Sequence, residues 1–99
     1  MKLVAVTACP TGIAHTYMAA ESLEKAAKKL GHAIRVETQG AMGIENALSD
    51  DDVEGADAVL LAAGIPVRGR ERFEGKRVVE VSVQEAIRNA EKILSGLAG

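Results

Sequence analysis

The stretch Asp57-Ala58-Val59-Leu60-Leu61-Ala62-Ala63 is a nearly unbroken apolar run, and it constrains the fold more than any other part of the chain. A strand with one wet face alternates polar and apolar residues, so a continuous run of this length implies a strand covered on both faces, as in parallel sheets flanked by helices. Leu3-Val4-Ala5-Val6-Thr7-Ala8 repeats the signal near the start, within a first strand over residues 2–8. Between the two, Ala19, Ala20, Leu23, Ala26, Ala27 and Leu30 fall at helical spacing, with Glu21, Glu24, Lys25, Lys28 and Lys29 on the opposite face, which predicts a helix from Thr16 to Leu30. Gly31 follows as its C-terminal stop.

The remaining segments keep the alternation. Residues 33–38 read as a second strand, Ser49-Asp50-Asp51-Asp52 as the acidic start of a short helical turn, and 77–81 as a fourth strand. Ser82-Val83-Gln84-Glu85 has the form of a capping box opening one last helix, whose apolar positions are Ala86, Ile87, Ala90, Ile93, Leu94 and Leu97. Four strands joined by right-handed crossovers bury their central members only if the winding reverses. The expected fold is therefore α/β, a doubly wound four-stranded parallel sheet with strand 1 central and helices on both faces. In such sheets ligands sit at the carboxyl ends of the strands, which would gather the Cys9 loop, the 39–43 loop and the 64–72 loop on one rim.

Composition sets outer limits. Ninety-nine residues make a single domain, 1–99, and one Tyr, one Phe and no Trp leave an aliphatic core. A formal charge of −2 carries no nucleic-acid footprint. With no run of about 18 apolar residues and no signal peptide, the chain is expected to be soluble and cytoplasmic, without membrane insertion. One cysteine allows neither an internal disulfide nor a Cys-x-x-Cys redox pair.

That cysteine is Cys9, at the end of the first strand, opening the loop Cys9-Pro10-Thr11-Gly12-Ile13-Ala14-His15-Thr16. A cysteine at a strand end is usually a small buried hydrophobe. The loop argues for chemistry instead. The first turn of the following helix offers unpaired N–H groups and a partial positive charge, which favour an anion, either a thiolate or a phosphoryl group. Pro10 lacks an N–H and fixes the turn, Gly12 permits close backbone approach, and the Thr11 and Thr16 hydroxyls add donors, Thr16 also standing where a helix cap belongs. Backbone amides in this arrangement take the place of a metal, so neither metal nor cofactor is expected.

The segment VAVTACPTGIAHTYMAAE, from Val4 to Glu21, closely resembles the active-site segment of the IIB domain of fructose-type sugar phosphotransferase systems. The likeness continues through Val36-Glu37-Thr38-Gln39-Gly40, Gly43-Ile44-Glu45-Asn46, Ala62-Ala63 and Arg72-Phe73-Glu74-Gly75-Lys76. It implies a sheet with strand order 2-1-3-4 and a phosphocysteine at Cys9. It also implies two partners: a IIA component (EIIA) that donates the phosphoryl group from phosphohistidine, and a membrane IIC permease (EIIC) that holds the sugar receiving it. The activity implied is that of a protein-phosphohistidine–sugar phosphotransferase, monomeric in isolation. The loop 64–73 departs from the family, whose members commonly carry Asp at the position of Gly64 and an acidic residue near Arg68. Here the loop is basic, and Arg68, Arg70 and Arg72 are available to a phosphoryl group or to an acidic partner surface.

Other readings compete. The loop also resembles the Cys-x5-Arg loop of low-molecular-weight phosphatases and arsenate-reductase-like thiolate enzymes, with His15 at the position of the clamping arginine. A nucleotide-binding module would need a Gly-x-Gly-x-x-Gly or a Walker A lysine, and the chain has neither. His15 either contacts the phosphoryl group or caps the helix, His32 is expected at the surface, and Asp50 to Asp52 read as a solvated helix start and not as a metal site. Tyr17 and Met18 fall off the apolar stripe of the first helix yet flank the Cys9 loop. They form an expected docking patch, with Arg68 and Arg70 as further candidates, unless the neighbouring 40–43 loop covers them.

Overall fold

The computed structural model describes residues 1–9, 13–40 and 43–98. The elements in chain order are β1 (Lys2–Ala8), α1 (Ile13–Leu30), β2 (Ala33–Gly40), β3 (Gly43–Glu45), α2 (Asp50–Glu54), β4 (Ala58–Ala63), a 3-10 turn (Arg70–Phe73), β5 (Val78–Val81), α3 (Val83–Arg88) and α4 (Ala90–Ala98). They form an α/β fold around one mixed sheet of order β3-β2-β1-β4-β5.

Strands β2, β1, β4 and β5 are mutually parallel. The expectation of a four-stranded, all-parallel sheet is nevertheless corrected by β3, a fifth strand that pairs antiparallel with the end of β2. It spans three residues whose one large apolar side chain, Ile44, is exposed, so no alternation announces it. Both outer strands are short, three residues in β3 and four in β5, which limits open edges.

Side chains alternate across β1 into two cores. Leu3 and Ala5, with Leu60 and Ala62 of β4, pack beneath α1, α3 and α4 against Leu23, Ala27, Ala86 and Leu94. The alanines let the helices lie close to the sheet. Val4 and Val6, with Val59 and Leu61, face the other way onto Leu48, Val53 of α2 and Phe73 of the 3-10 turn. Burial of each large aliphatic side chain is worth about 1.5–3 kcal/mol.

The helix boundaries follow identifiable local bonds. Gly31, at φ 78°, closes α1 as anticipated, with its N–H donating to the Lys28 carbonyl and the His32 N–H to the Ala27 carbonyl. Ser49 and Asp52 exchange hydrogen bonds in a capping box at the start of α2. Ser82 caps α3 by accepting from the Glu85 N–H. The single last helix is corrected to two, broken at Asn89 (φ −125°, ψ 31°), whose carbonyl then accepts from the Ile93 N–H of α4. Buried residues at 83, 86, 90, 94 and 97 keep helical spacing straight through the break, which hides it from a periodicity reading. His32, expected at the surface, is half-buried with Nδ1 lacking a partner among the described residues.

Candidate functional site at the carboxyl end of the sheet

Central strand β1 delivers Cys9 to the rim as a buried side chain, 8% exposed. Four residues later α1 begins at Ile13, three residues before the predicted start. Thr16 is therefore not the helix cap; it lies inside the first turns, where its carbonyl accepts from the Thr7 hydroxyl at 3.2 Å and ties the helix start to β1. Its own hydroxyl is buried, lacks a partner among the described residues, and faces the bare α-carbon of Gly40. Thr38, in register with Thr7 on the same face of the sheet, holds a second buried hydroxyl without a partner. A polar group left so costs about 1–3 kcal/mol, a cost that a ligand reaching it would offset.

Pro10, Thr11 and Gly12 lie outside the described residues, as does the side chain of Ile13. Ala14 and His15 are exposed in the first turn of α1.

The three expected loops do meet. Cys9, Gln39, Gly40, Gly43 and Ile44 from the β2–β3 hairpin, and Ile65, Pro66 and Arg68 from the segment after β4, line a cavity of about 210 Å³. A larger groove of about 410 Å³ lies between α1 and the α3–α4 junction, but it holds no cysteine, and its Lys25 and Lys29 are paired with Glu21 and Glu91.

Beneath the cavity sits a polar network that sequence reasoning missed. Glu37 is fully buried on β2, on the face opposite Thr38. Its carboxylate accepts two bonds from Arg72, at 2.8 and 2.7 Å, one from Gln39 Nε2 at 2.7 Å and one from the Leu48 N–H at 2.9 Å. Burial pushes the Glu37 carboxyl up, but the hydrogen bonds from Arg72, Gln39 and Leu48, with the Arg72 charge, outweigh it and hold the group below the ordinary carboxylate range. Gln39 in turn grips the backbone of Arg68 on both sides, accepting from its N–H at 2.8 Å and donating to its carbonyl at 3.0 Å. Nothing in the local sequence pairs Glu37 with Arg72, which lies 35 residues away, while Arg35 two residues before it points elsewhere, toward Asp52.

The three arginines of the loop thus separate. Arg72 is locked onto Glu37, Arg70 pairs with Glu80 at 2.6 Å on the surface, and exposed Arg68 lines the cavity with Cys9. Tyr17 and Met18 are 41% and 49% exposed, so the hairpin does not cover them. The Tyr17 hydroxyl donates to Glu45 of β3, a bond that raises the tyrosine above its ordinary value and keeps it protonated. Ile44 and Ile65, not singled out from sequence, are the other large apolar side chains exposed near Cys9.

The fold and site define a small α/β domain whose one cysteine is held at the carboxyl end of a central strand, beside a cavity lined from β1, the β2–β3 hairpin and the segment after β4, and shortly before a helix. The family model for the lactose/cellobiose-specific IIB subunit of the phosphotransferase system matches residues 4–96, and the chain belongs to this IIB family. It is similar to the fructose-like EIIB component 2 of Escherichia coli K12, 52% identical over 94 residues, covering 95% of this chain and 89% of the relative. It is also similar to the fructose-like EIIBC component of the same organism, 50% identical over 99 residues, covering 98% of this chain and 20% of that longer protein. Among solved structures, a domain of the fructose-specific IIABC component of Borrelia burgdorferi superposes with a TM-score of 0.92 at 53% identity, covering 96% of this chain and 90% of that one. The function is accordingly that of a fructose-like EIIB phosphotransfer component, which displaces the phosphatase and nucleotide-binding readings.

Proposed function

We propose that Cys9 carries the phosphoryl group. The observation that supports this reading is its position: the only cysteine of the chain lines the cavity where three rim loops meet, immediately ahead of α1. In the first half-reaction the Cys9 sulfur attacks the phosphorus of a phosphohistidine on EIIA. The S–P bond forms while the N–P bond breaks, its electron pair staying on the imidazole nitrogen. In the second, a hydroxyl oxygen of the sugar held by EIIC attacks phosphorus, the S–P bond breaks with its pair returning to sulfur, and the hydroxyl proton passes to a base outside this chain. Both steps are in-line displacements in which the domain supplies position and electrostatics.

Residues Pro10 to Thr16 form the cradle in this reading. The exposed start of α1 presents N–H groups to the equatorial oxygens, and the buried Thr16 hydroxyl, without a partner among the described residues, donates to the phosphoryl group. His15, exposed at the same helix end, is available to the incoming group. Tyr17, Met18, Arg68 and Arg70 are all exposed, and in this reading they belong to the docking surface that EIIA and EIIC would use in turn. Among the described residues no helix is long and apolar enough to cross a membrane. In this reading residues 1–99 act as one domain on the cytoplasmic side of the permease.

Mass spectrometry after incubation with phosphorylated EIIA tests it. The added phosphoryl group should map to the peptide containing Cys9, prior thiol alkylation should block it, and Cys9→Ser should accept none while keeping the wild-type fold, since a serine hydroxyl stays protonated near neutrality. Label on His15, or undiminished label on Cys9→Ser, contradicts the assignment.

A further inference from the structure

We propose that Arg68 contacts the phosphoryl group on Cys9 directly, supplying from a separate loop the cation that the Cys9 loop lacks; this rests on the phosphocysteine reading above. Of the three arginines after β4, two are committed elsewhere. Arg70 binds Glu80 at 2.6 Å and Arg72 binds Glu37 at 2.7 Å, whereas the Arg68 guanidinium has no carboxylate partner among the described residues. Arg68 is also the one cationic residue among the described residues lining the cavity with Cys9. Beside it the walls are apolar or uncharged, with Ile44, Ile65, Pro66 and Gln39.

Its placement is built and not incidental. Gln39 holds the Arg68 N–H and carbonyl at 2.8 and 3.0 Å, and Arg72 Nη2 donates to the same carbonyl at 3.3 Å. Both of those side chains are anchored in turn on the buried Glu37 carboxylate. The backbone at Arg68 is therefore pinned from the core while the side chain remains exposed. This is the arrangement of a fixed base with an unspent charge. A phosphoryl group carries close to two negative charges near neutrality, and a guanidinium is the side chain whose planar donors match its oxygens in pairs. Entering the cavity, such a group meets Arg68 as its only full positive charge among the described lining residues.

The test observes the phosphorylated domain alone, after EIIA has been removed, by phosphorus NMR as a function of pH. A cation in contact with the phosphoryl oxygens favours the dianion, so Arg68→Gln should raise the pH midpoint of the phosphocysteine signal by roughly 1 unit, at the low end for an opposite charge at contact because the site is exposed. Arg68→Lys should fall between Arg68→Gln and wild type. Arg88→Gln, which removes the same charge beside the remote α1 groove, should titrate as wild type does. If Arg68→Gln and Arg68→Lys both match wild type, the inference is overturned, and a slowed transfer from EIIA in those variants would assign Arg68 to docking. If wild type shows no phosphocysteine signal at all, the phosphocysteine reading falls first and takes the inference with it.

Discussion

Arg72 grips both carboxylate oxygens of Glu37 across 35 residues of sequence, at 2.8 and 2.7 Å, joining the 3-10 turn after β4 to the buried middle of β2. The guanidinium also lies 4.7 Å from the centroid of the Phe73 ring and donates to the Gly69 carbonyl at 2.8 Å. Desolvation of the two charges is offset by this fully bonded geometry, so the pair is worth less than its removal would cost. It sets where the loop lining the Cys9 cavity can sit.

Glu37→Gln leaves Arg72 without its counter-charge and should destabilise the domain by about 3 kcal/mol, the low end for breaking a buried pair because Arg72 is a quarter exposed. The pH dependence has a definite sign. The folded-state Glu37 carboxyl titrates below its unfolded value of about 4.3, so its contribution is present above that pH and is lost as pH falls through the folded value. Urea midpoints of the wild type should drop between pH 5 and 3 more steeply than those of Glu37→Gln. Parallel pH curves would remove Glu37 from the acid sensitivity.

Gln39→Ala releases the backbone of Arg68 while leaving the Glu37–Arg72 pair in place. A loss of about 2–3 kcal/mol is expected from its two bonds to the Arg68 backbone and its charge-assisted bond to Glu37. The more telling change is local: amide exchange at Arg68 should accelerate by tenfold or more relative to amides of β1, and phosphoryl acceptance by Cys9 should slow. Unaltered protection at Arg68 would mean the loop is held by other contacts.

Thr16→Val exchanges a buried hydroxyl without a partner among the described residues for a methyl group of the same shape. Because that hydroxyl makes no hydrogen bond among the described residues, the variant should be as stable as wild type or up to about 1 kcal/mol more so. Its acceptance of phosphate should nevertheless fall, by about tenfold for one lost donor to a charged group. A destabilised variant would indicate that the hydroxyl already has a structural partner.

Tyr17→Ala and Met18→Ala remove exposed side chains outside both cores and should change thermal stability little. Leu23→Ala, from the fully buried stripe of the same helix, should cost roughly 2–5 kcal/mol by comparison. Transfer from phosphorylated EIIA should weaken in the two surface variants by about 1–2 kcal/mol, read as the rise in the EIIA concentration for half-maximal rate. Wild-type transfer kinetics in both would exclude this face from docking.

Much of this protein was determined by its sequence alone, because the relevant signals are local. The continuous apolar runs at β1 and β4 specify strands covered on both faces, and Gly31 and the serines at 49 and 82 mark helix ends through bonds made within a few residues. The chemistry proposed for Cys9 likewise rests on a handful of adjacent residues. Other features depended on the assembled fold. Strand β3 exists because β2 leaves an open edge beside Gly43-Ile44-Glu45, and three residues carry no pattern of their own. Whether Glu37 faces water or Arg72, and which arginine remains beside Cys9 once Glu37 and Glu80 have claimed the other two, was decided by tertiary structure. A charge finds its partner through space, across 35 residues in this case, and no spacing along the chain encodes that distance.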